Sequence, residues 1–134
     1  MLLQLLHPDS TDSAPTVVAK GFSWAENILC DPAEENGGSE ANNGTLWVSE
    51  STRGEIWKVQ NRGGEWQQSL HYSQGAARVA GLAREPGALG GLYALVQPED
   101  DGYCRLMRID RMRVESAVQV AVLPRKCLGD GLAF

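Results

Sequence analysis

The apolar residues of this chain come in short runs bounded by Gly, Pro, Asn and Asp, and few stretches have helical spacing. Short runs of this kind are typical of strands joined by turns, so the sequence predicts an all-β fold. Polar turns with the sequences ESTRGE and PEDDGY join neighbouring strands, and Gly102 in the second is free to adopt positive φ. The clearest predicted strands are TLWVSE (45–50), EIWKVQ (55–60), GLYALVQ (91–97), CRLMRID (104–110) and VQVAVL (118–123).

The strand pattern repeats along the chain. Three segments align with one another: AENILCDP (25–32), VAGLAREP (79–86) and GDGLAF (129–134). The alignment places Glu26, Ala80 and Asp130 in one column, with steps of 54 and 50 residues between them. Each unit reads as a short strand, a loop, a strand, a turn, a strand and an outer segment. About four strands in roughly 50 residues is the size and make-up of a propeller blade.

The repeat predicts an incomplete β-propeller: about two four-stranded blades plus the first strand of a third. A blade cannot bury both faces alone, and closing a ring takes at least about four blades. We therefore expect the 134 residues to be a fragment or a truncated gene product. The predicted organisation is an N-terminal extension at 1–16 and a partial propeller at 17–134. A small β-sandwich with coincidentally similar halves is the alternative.

The charge and cysteine content of the chain limit the kinds of partner and location that we expect. A net charge of −5 and a pI of about 5.0 argue against nucleic acid, because phosphate binding needs clustered Lys and Arg. The opening MLLQLLHPDS has a short apolar stretch and no basic start, so we expect no export signal, no membrane span and a cytoplasmic location. The three cysteines form no C-x-x-C pattern, so neither a disulfide framework nor a zinc site is expected. An exposed blade edge allows self-association.

Two carboxylates carry the candidate chemistry. Glu26 and Asp130 each begin an innermost strand, which in a propeller faces the central channel. Carboxylates from different blades can converge there on a hard cation such as Ca²⁺ or Mg²⁺, which prefers oxygen ligands. Such a cation can polarise a carbonyl group or lower the pKa of a bound water. The four tryptophans either line a ligand pocket or pack within and between blades.

The segments WAENILCDP (24–32) and GTLWVSESTRGEIWKV (44–59) resemble the opening blade of the SMP-30/gluconolactonase/luciferin-regenerating-enzyme family. These proteins are six-bladed propellers with a divalent metal in the channel, and members hydrolyse sugar lactones, other lactones or organophosphate esters. The resemblance covers most of the chain from about Val17. It implies that Glu26 is a metal ligand and places Glu50 at the family's acidic position at the end of a strand.

The chain also departs from the family pattern. Active lactonases often read Arg-x-Asn-Asp-Gly at the loop that opens the third blade, whereas this chain reads CLGDG at 127–131. Cys127 thus replaces a substrate-contacting Arg, and Gly129 replaces the Asn. Asp130 remains, either as a catalytic residue that positions substrate or as a metal ligand. The family's other metal ligands lie in later blades.

Two functions follow as expectations. The resemblance implies the N-terminal part of a divalent-metal-dependent lactone or ester hydrolase, inactive as this chain alone. Its partner would be a small-molecule lactone or ester once the ring is complete. The altered CLGDG segment and the incomplete ring instead favour a non-catalytic propeller used for binding or scaffolding.

Overall fold

The computed structural model describes residues 3–5, 16–31, 42–75, 77–87, 90–99, 102–124 and 127, and these residues form an all-β fold. No helix occurs among them, and none is therefore long and apolar enough to cross a membrane. The strands are β1 (Leu3–Leu5), β2 (Thr16–Ala19), β3 (Ala25–Asp31), β4 (Asn42–Glu50), β5 (Glu55–Arg62), β6 (Glu65–Ser73), β7 (Ala77–Arg84), β8 (Leu92–Pro98), β9 (Arg105–Ile109) and β10 (Ala117–Val122).

Two four-stranded antiparallel sheets dominate the architecture. The first sheet has the order β3-β4-β5-β6, and the second has the order β10-β9-β8-β7, so each follows the chain from one strand to its neighbour. β1 and β2 form a separate two-stranded sheet. The five strands predicted from the sequence are all present. The third aligned segment, at 129–134, lies outside the described residues.

The two sheets pack face to face through one apolar cluster. The first sheet contributes Trp47, Ile56 and Tyr72, and all three are buried. The second sheet contributes Val79, Leu82, Leu92, Ala94, Val96 and Ile109. Burying both sets removes the apolar face of each sheet from water, which is the main force that holds such layers together.

A second apolar cluster covers the other face of the first sheet. Val18, Ala19 and Phe22 pack there against residues of β4 and β5. The predicted boundary between an extension and a propeller, after residue 16, falls at the first residue of β2. The division into two parts at that point stays a prediction.

Both sheets carry the same irregularities at equivalent places, which supports the internal repeat. The β3–β4 register shifts around Glu26, and the β7–β8 register shifts around Ala80, its partner in the sequence alignment. The β5–β6 register skips His71, and the β9–β10 register skips Val120, in both cases opposite the second and third residues of the third strand of the sheet. An extra residue of this kind bends a strand and is specific to its position, so two matching pairs are a strong sign of repetition.

The turn that follows the second strand of each unit is closed in the same way. Gln74 donates a backbone hydrogen bond of 2.9 Å to the carbonyl of Gly54. Leu123 donates the equivalent bond, of 2.7 Å, to the carbonyl of Cys104. The outer strand of each sheet therefore returns to the turn that precedes the third strand.

The residue 23 positions further along the chain also meets that turn in both units. A Cβ on Gly54 would lie 2.8 Å from the carbonyl oxygen of Ala77, the first residue of β7, and Gly54 has φ +64°. In the second unit Cys104 forms a disulfide with Cys127, across the same separation of 23 residues. The close approach of Gly54 to Ala77 in the first unit therefore corresponds to the Cys104–Cys127 disulfide in the second unit.

The disulfide corrects an expectation from the sequence. The spacing of the three cysteines indicated no disulfide, because it matches no motif and one residue is left over. The fold brings Cys104 and Cys127 together because the β9–β10 hairpin returns the chain to the turn before β9. Cys30 remains exposed and free.

Candidate functional site

An open cleft lies at the end of the sheets where β3 and β7 begin. Its volume is about 750 Å³, and its lining includes Trp24, Glu26, Arg78, Gln97 and Glu99. β3 and β7 are the strands through which the two sheets meet most extensively, so the cleft is shared by both. Apolar surface from Trp24 and a few polar groups is the usual make-up of a small-molecule site.

Glu26 lines this cleft, and its carboxylate is paired with a guanidinium. Arg78 Nη2 donates a 2.8 Å hydrogen bond to Glu26 Oε1, which joins the second sheet to the first. Arg78 Nε donates to Ser51 Oγ at 3.3 Å, so two acceptors of the first sheet orient the guanidinium. The Glu26 side chain is 11% exposed and that of Arg78 is 49% exposed. Arg78 was not predicted from the sequence, because it lies just before the aligned segment 79–86 and belongs to no motif.

Asp130, predicted as a catalytic residue or metal ligand, lies outside the described residues. The start of its segment is described, because Cys127 lines the cleft and donates its backbone N–H to Gln97 Oε1 at 2.7 Å. Cys127, which the resemblance aligns with a substrate-contacting Arg, thus lies at the cleft, is buried and has its sulfur in a disulfide. It offers no cationic group to a substrate.

The described residues supply only part of a binding site for the predicted divalent cation. No group of three or more His, Cys, Asp or Glu side chains comes together among them. Glu26 has the oxygen chemistry that Ca²⁺ or Mg²⁺ accepts, but the Arg78 guanidinium already balances its charge. These residues alone do not fit a divalent ion. The joint role of Glu26 and Asp130 as metal ligands stays a prediction.

Glu50, at the family's acidic position, has a structural role. Its carboxylate is fully buried and accepts hydrogen bonds from the backbone N–H groups of Ser23, Trp24 and Thr52 and from the Thr52 hydroxyl. Burial raises the pKa of Glu50, but these hydrogen bonds outweigh burial and lower the pKa below its ordinary value. The bonds fix the segment before β3, and so they position Trp24 and Glu26 at the cleft.

The four tryptophans divide between core and cleft. Trp47 is buried between the sheets, and Trp57 and Trp66 pack on the outer cluster of the first sheet, as predicted for core residues. Trp24 is 61% exposed and lines the cleft, and its role in binding a ligand stays a prediction. Its flat apolar ring is the largest hydrophobic surface available to a ligand there.

A buried ionic cluster lies at the opposite end of β3, and the sequence did not predict it. Asp31 Oδ2 accepts hydrogen bonds from Arg111 Nη1 at 2.8 Å and from Trp47 Nε1 at 3.2 Å. Arg84 Nε lies 3.5 Å from Asp31 Oδ1. Arg111 also donates to the carbonyl of Gly87. With the carboxylate and the Arg111 guanidinium both buried, this cluster joins the sheets rather than binding ligand.

Comparison with protein-family models found no matching family, and searches of curated proteins and of solved structures found no match. The case for a function therefore depends on the repeat, the cleft and the sequence resemblance.

Proposed function

We propose that the two sheets are successive blades of a β-propeller of the SMP-30/gluconolactonase type. The single observation that carries this is the recurrence of one junction, Gly54 against Ala77 and Cys104 bonded to Cys127. A junction that recurs at the same separation supports this proposal, because in an array of repeats each repeat contacts its neighbour in the same way. The matching register shifts in both sheets support it further.

The proposed function is part of a divalent-metal-dependent lactone or ester hydrolase. The cleft supports it because Glu26, the residue matched to a metal ligand by resemblance, lies where the innermost strands begin. Trp24 would pack against the ring of a lactone, and Arg78 would donate hydrogen bonds to its carbonyl or to the carboxylate of the product. A divalent metal, once bound, would polarise the carbonyl group. Asp130 would supply a further oxygen ligand.

Hydrolysis by the complete product of the gene tests this function. We expect it to hydrolyse lactones or aryl esters, and to lose the activity when EDTA removes divalent metal. Glu26→Gln should lower kcat/KM by about 100-fold or more, the scale of one lost electrostatic contact in a transition state. Glu65→Gln, which removes an exposed carboxylate on β6, is the matched control. The 134-residue chain alone should show no turnover.

A non-catalytic binding module is the second candidate, favoured by the ion pair between Glu26 and Arg78. A Glu26 carboxylate that is paired with Arg78 needs no metal to offset its charge. In this case lactones or hydroxy acids would change the fluorescence of Trp24, and neither metal nor EDTA would alter their affinity. Binding without turnover in the complete gene product would decide for this candidate.

The disulfide bears on the cellular location. Disulfides persist in oxidising compartments and are rare in the reducing cytosol. We therefore propose an oxidising compartment rather than the cytoplasm predicted from the sequence. Alkylation of free thiols at the moment of cell lysis should leave Cys104 and Cys127 unmodified in the native protein.

Self-association through a blade edge is proposed for β10. This strand forms an edge of the second sheet, and Val118, Val120 and Val122 are exposed on it. Exposed apolar edge strands pair readily with other chains. Light scattering should detect oligomers that a Val120→Lys substitution converts to monomer.

A further inference from the structure

We infer that Arg78 takes the place of a bound cation at Glu26, so that a divalent ion can bind there only after the guanidinium is displaced. The inference rests on the proposed function in one respect, the choice of Glu26 as the carboxylate that would face a metal. It goes beyond that function because it assigns Arg78 the role of an internal competitor for metal.

The Arg78 guanidinium lies against the same Glu26 oxygen to which a metal ion would bind. Arg78 Nη2 lies 2.8 Å from Glu26 Oε1, within charge-assisted hydrogen-bond distance. Ser51 Oγ accepts from Arg78 Nε and fixes the plane of the guanidinium, so the pair is oriented from two sides. An ion bound to the same oxygen would meet this positive charge at contact distance, where repulsion is strongest.

The charge of the cleft leads to the same conclusion. Glu26, Glu99 and Arg78 are the charged residues among the described residues that line it, which gives a net charge of −1. Removing the charge of Arg78 would change this to −2 and remove the guanidinium from Glu26 Oε1. Ca²⁺ affinity rises with the number of ligand charges, so the variant should bind cations more tightly than the natural chain.

Titration with Tb³⁺ tests the inference directly. Tb³⁺ accepts oxygen ligands as Ca²⁺ does, and its emission can be excited through a nearby indole, here Trp24. We expect Arg78→Met to lower the Kd for Tb³⁺ at least about tenfold relative to the natural chain. Arg78→Lys, which keeps the charge, should stay close to the natural value. Ca²⁺ should displace the bound Tb³⁺.

Two controls separate the cleft from the rest of the surface. Arg62→Met removes an exposed Arg near the far end of β5 and changes the total charge equally, so it should not alter the Kd. Glu26→Gln in the Arg78→Met background should abolish the gain. Arg78→Gln serves in its place if Arg78→Met does not give the natural circular dichroism spectrum.

An equal Kd in the natural chain and in folded Arg78 variants would overturn the inference, whether both bind or neither does. The hydrolase proposal is judged separately, by turnover of the complete gene product. A gain in Tb³⁺ affinity without lactone hydrolysis would keep the inference and remove the hydrolase function. Metal-dependent hydrolysis with an unchanged Kd would do the opposite.

Discussion

Asp31 and Arg111 are 80 positions apart in the sequence, yet Arg111 Nη1 lies 2.8 Å from Asp31 Oδ2. Asp31 ends the first strand of the first sheet, and Arg111 follows β9 in the second. Both side chains are buried, at 0% and 3% exposed. The pair therefore fixes how the two sheets are placed against each other at the end remote from the cleft.

Asp31→Asn should destabilise the chain strongly. The substitution keeps the shape of the side chain but removes the negative charge that is paired with the buried Arg111 guanidinium, which costs about 3–5 kcal/mol. Urea denaturation measures the loss. Glu85→Gln, which neutralises an exposed carboxylate 3.5 Å from Arg108, is the control and should cost at most about 1 kcal/mol. Equal losses in the two variants would contradict a buried, unhydrated pair.

Replacing both Cys104 and Cys127 by Ala should lower the free energy of unfolding by about 3 kcal/mol. The disulfide closes a loop over a separation of 23 residues. Without it, the unfolded chain regains the conformational entropy that the closed loop removes. Cys30→Ala, at the exposed free cysteine, should change stability by less than about 0.5 kcal/mol. A thiol assay in denaturant without reductant should find one reactive thiol per chain, and three would refute the disulfide.

Glu50→Gln should lower stability at neutral pH by about 1–3 kcal/mol, because an amide N–H would face the backbone donors that the carboxylate now satisfies. The pKa of Glu50 lies below its ordinary 4.5 in the folded chain, so the unfolded chain binds more protons near that pH. The stabilisation is therefore complete above about 4.5 and is lost as the pH falls through the folded pKa.

Urea titrations between pH 7 and pH 3 check this dependence. The difference in stability between the natural chain and Glu50→Gln should narrow toward low pH. Glu65→Gln, an exposed carboxylate on β6, should show a much smaller difference at every pH. A constant difference for Glu50→Gln would mean that the carboxylate is protonated equally in both states.

The strands could be predicted because their signal is local. Runs such as TLWVSE and EIWKVQ carry both the apolar pattern and the turn residues that end them, and the structure places β4 and β5 there. The order of the strands within each sheet could also be predicted, because short turns join strands that are neighbours in the sequence. The register shifts at His71 and Val120 could not be predicted, since the extra residue depends on how two strands pair and not on either alone.

The site was predicted less completely, because charge pairing depends on the packing of the two sheets. Glu26 was singled out through the repeat, whereas its ion pair with Arg78 becomes visible only once the sheets are placed together. Glu50 had the right residue type for a functional acid, yet its position beside a tight turn gives it backbone donors. The Cys104–Cys127 separation matches that of Gly54 and Ala77, a clue that only the aligned repeat reveals.

The contact at Gly54 and Ala77 differs from the disulfide at Cys104 and Cys127, so the two units of this chain cannot be exchanged for one another. A cysteine at Gly54 would need φ +64° and would bring its Cβ to 2.8 Å from Ala77 O, so the disulfide of the second unit cannot be transferred to the first. A longer array assembled from copies of this chain would have to use the second unit as its template. Copies of the first unit would require a glycine at every position equivalent to Gly54 and would contain no disulfide of this kind.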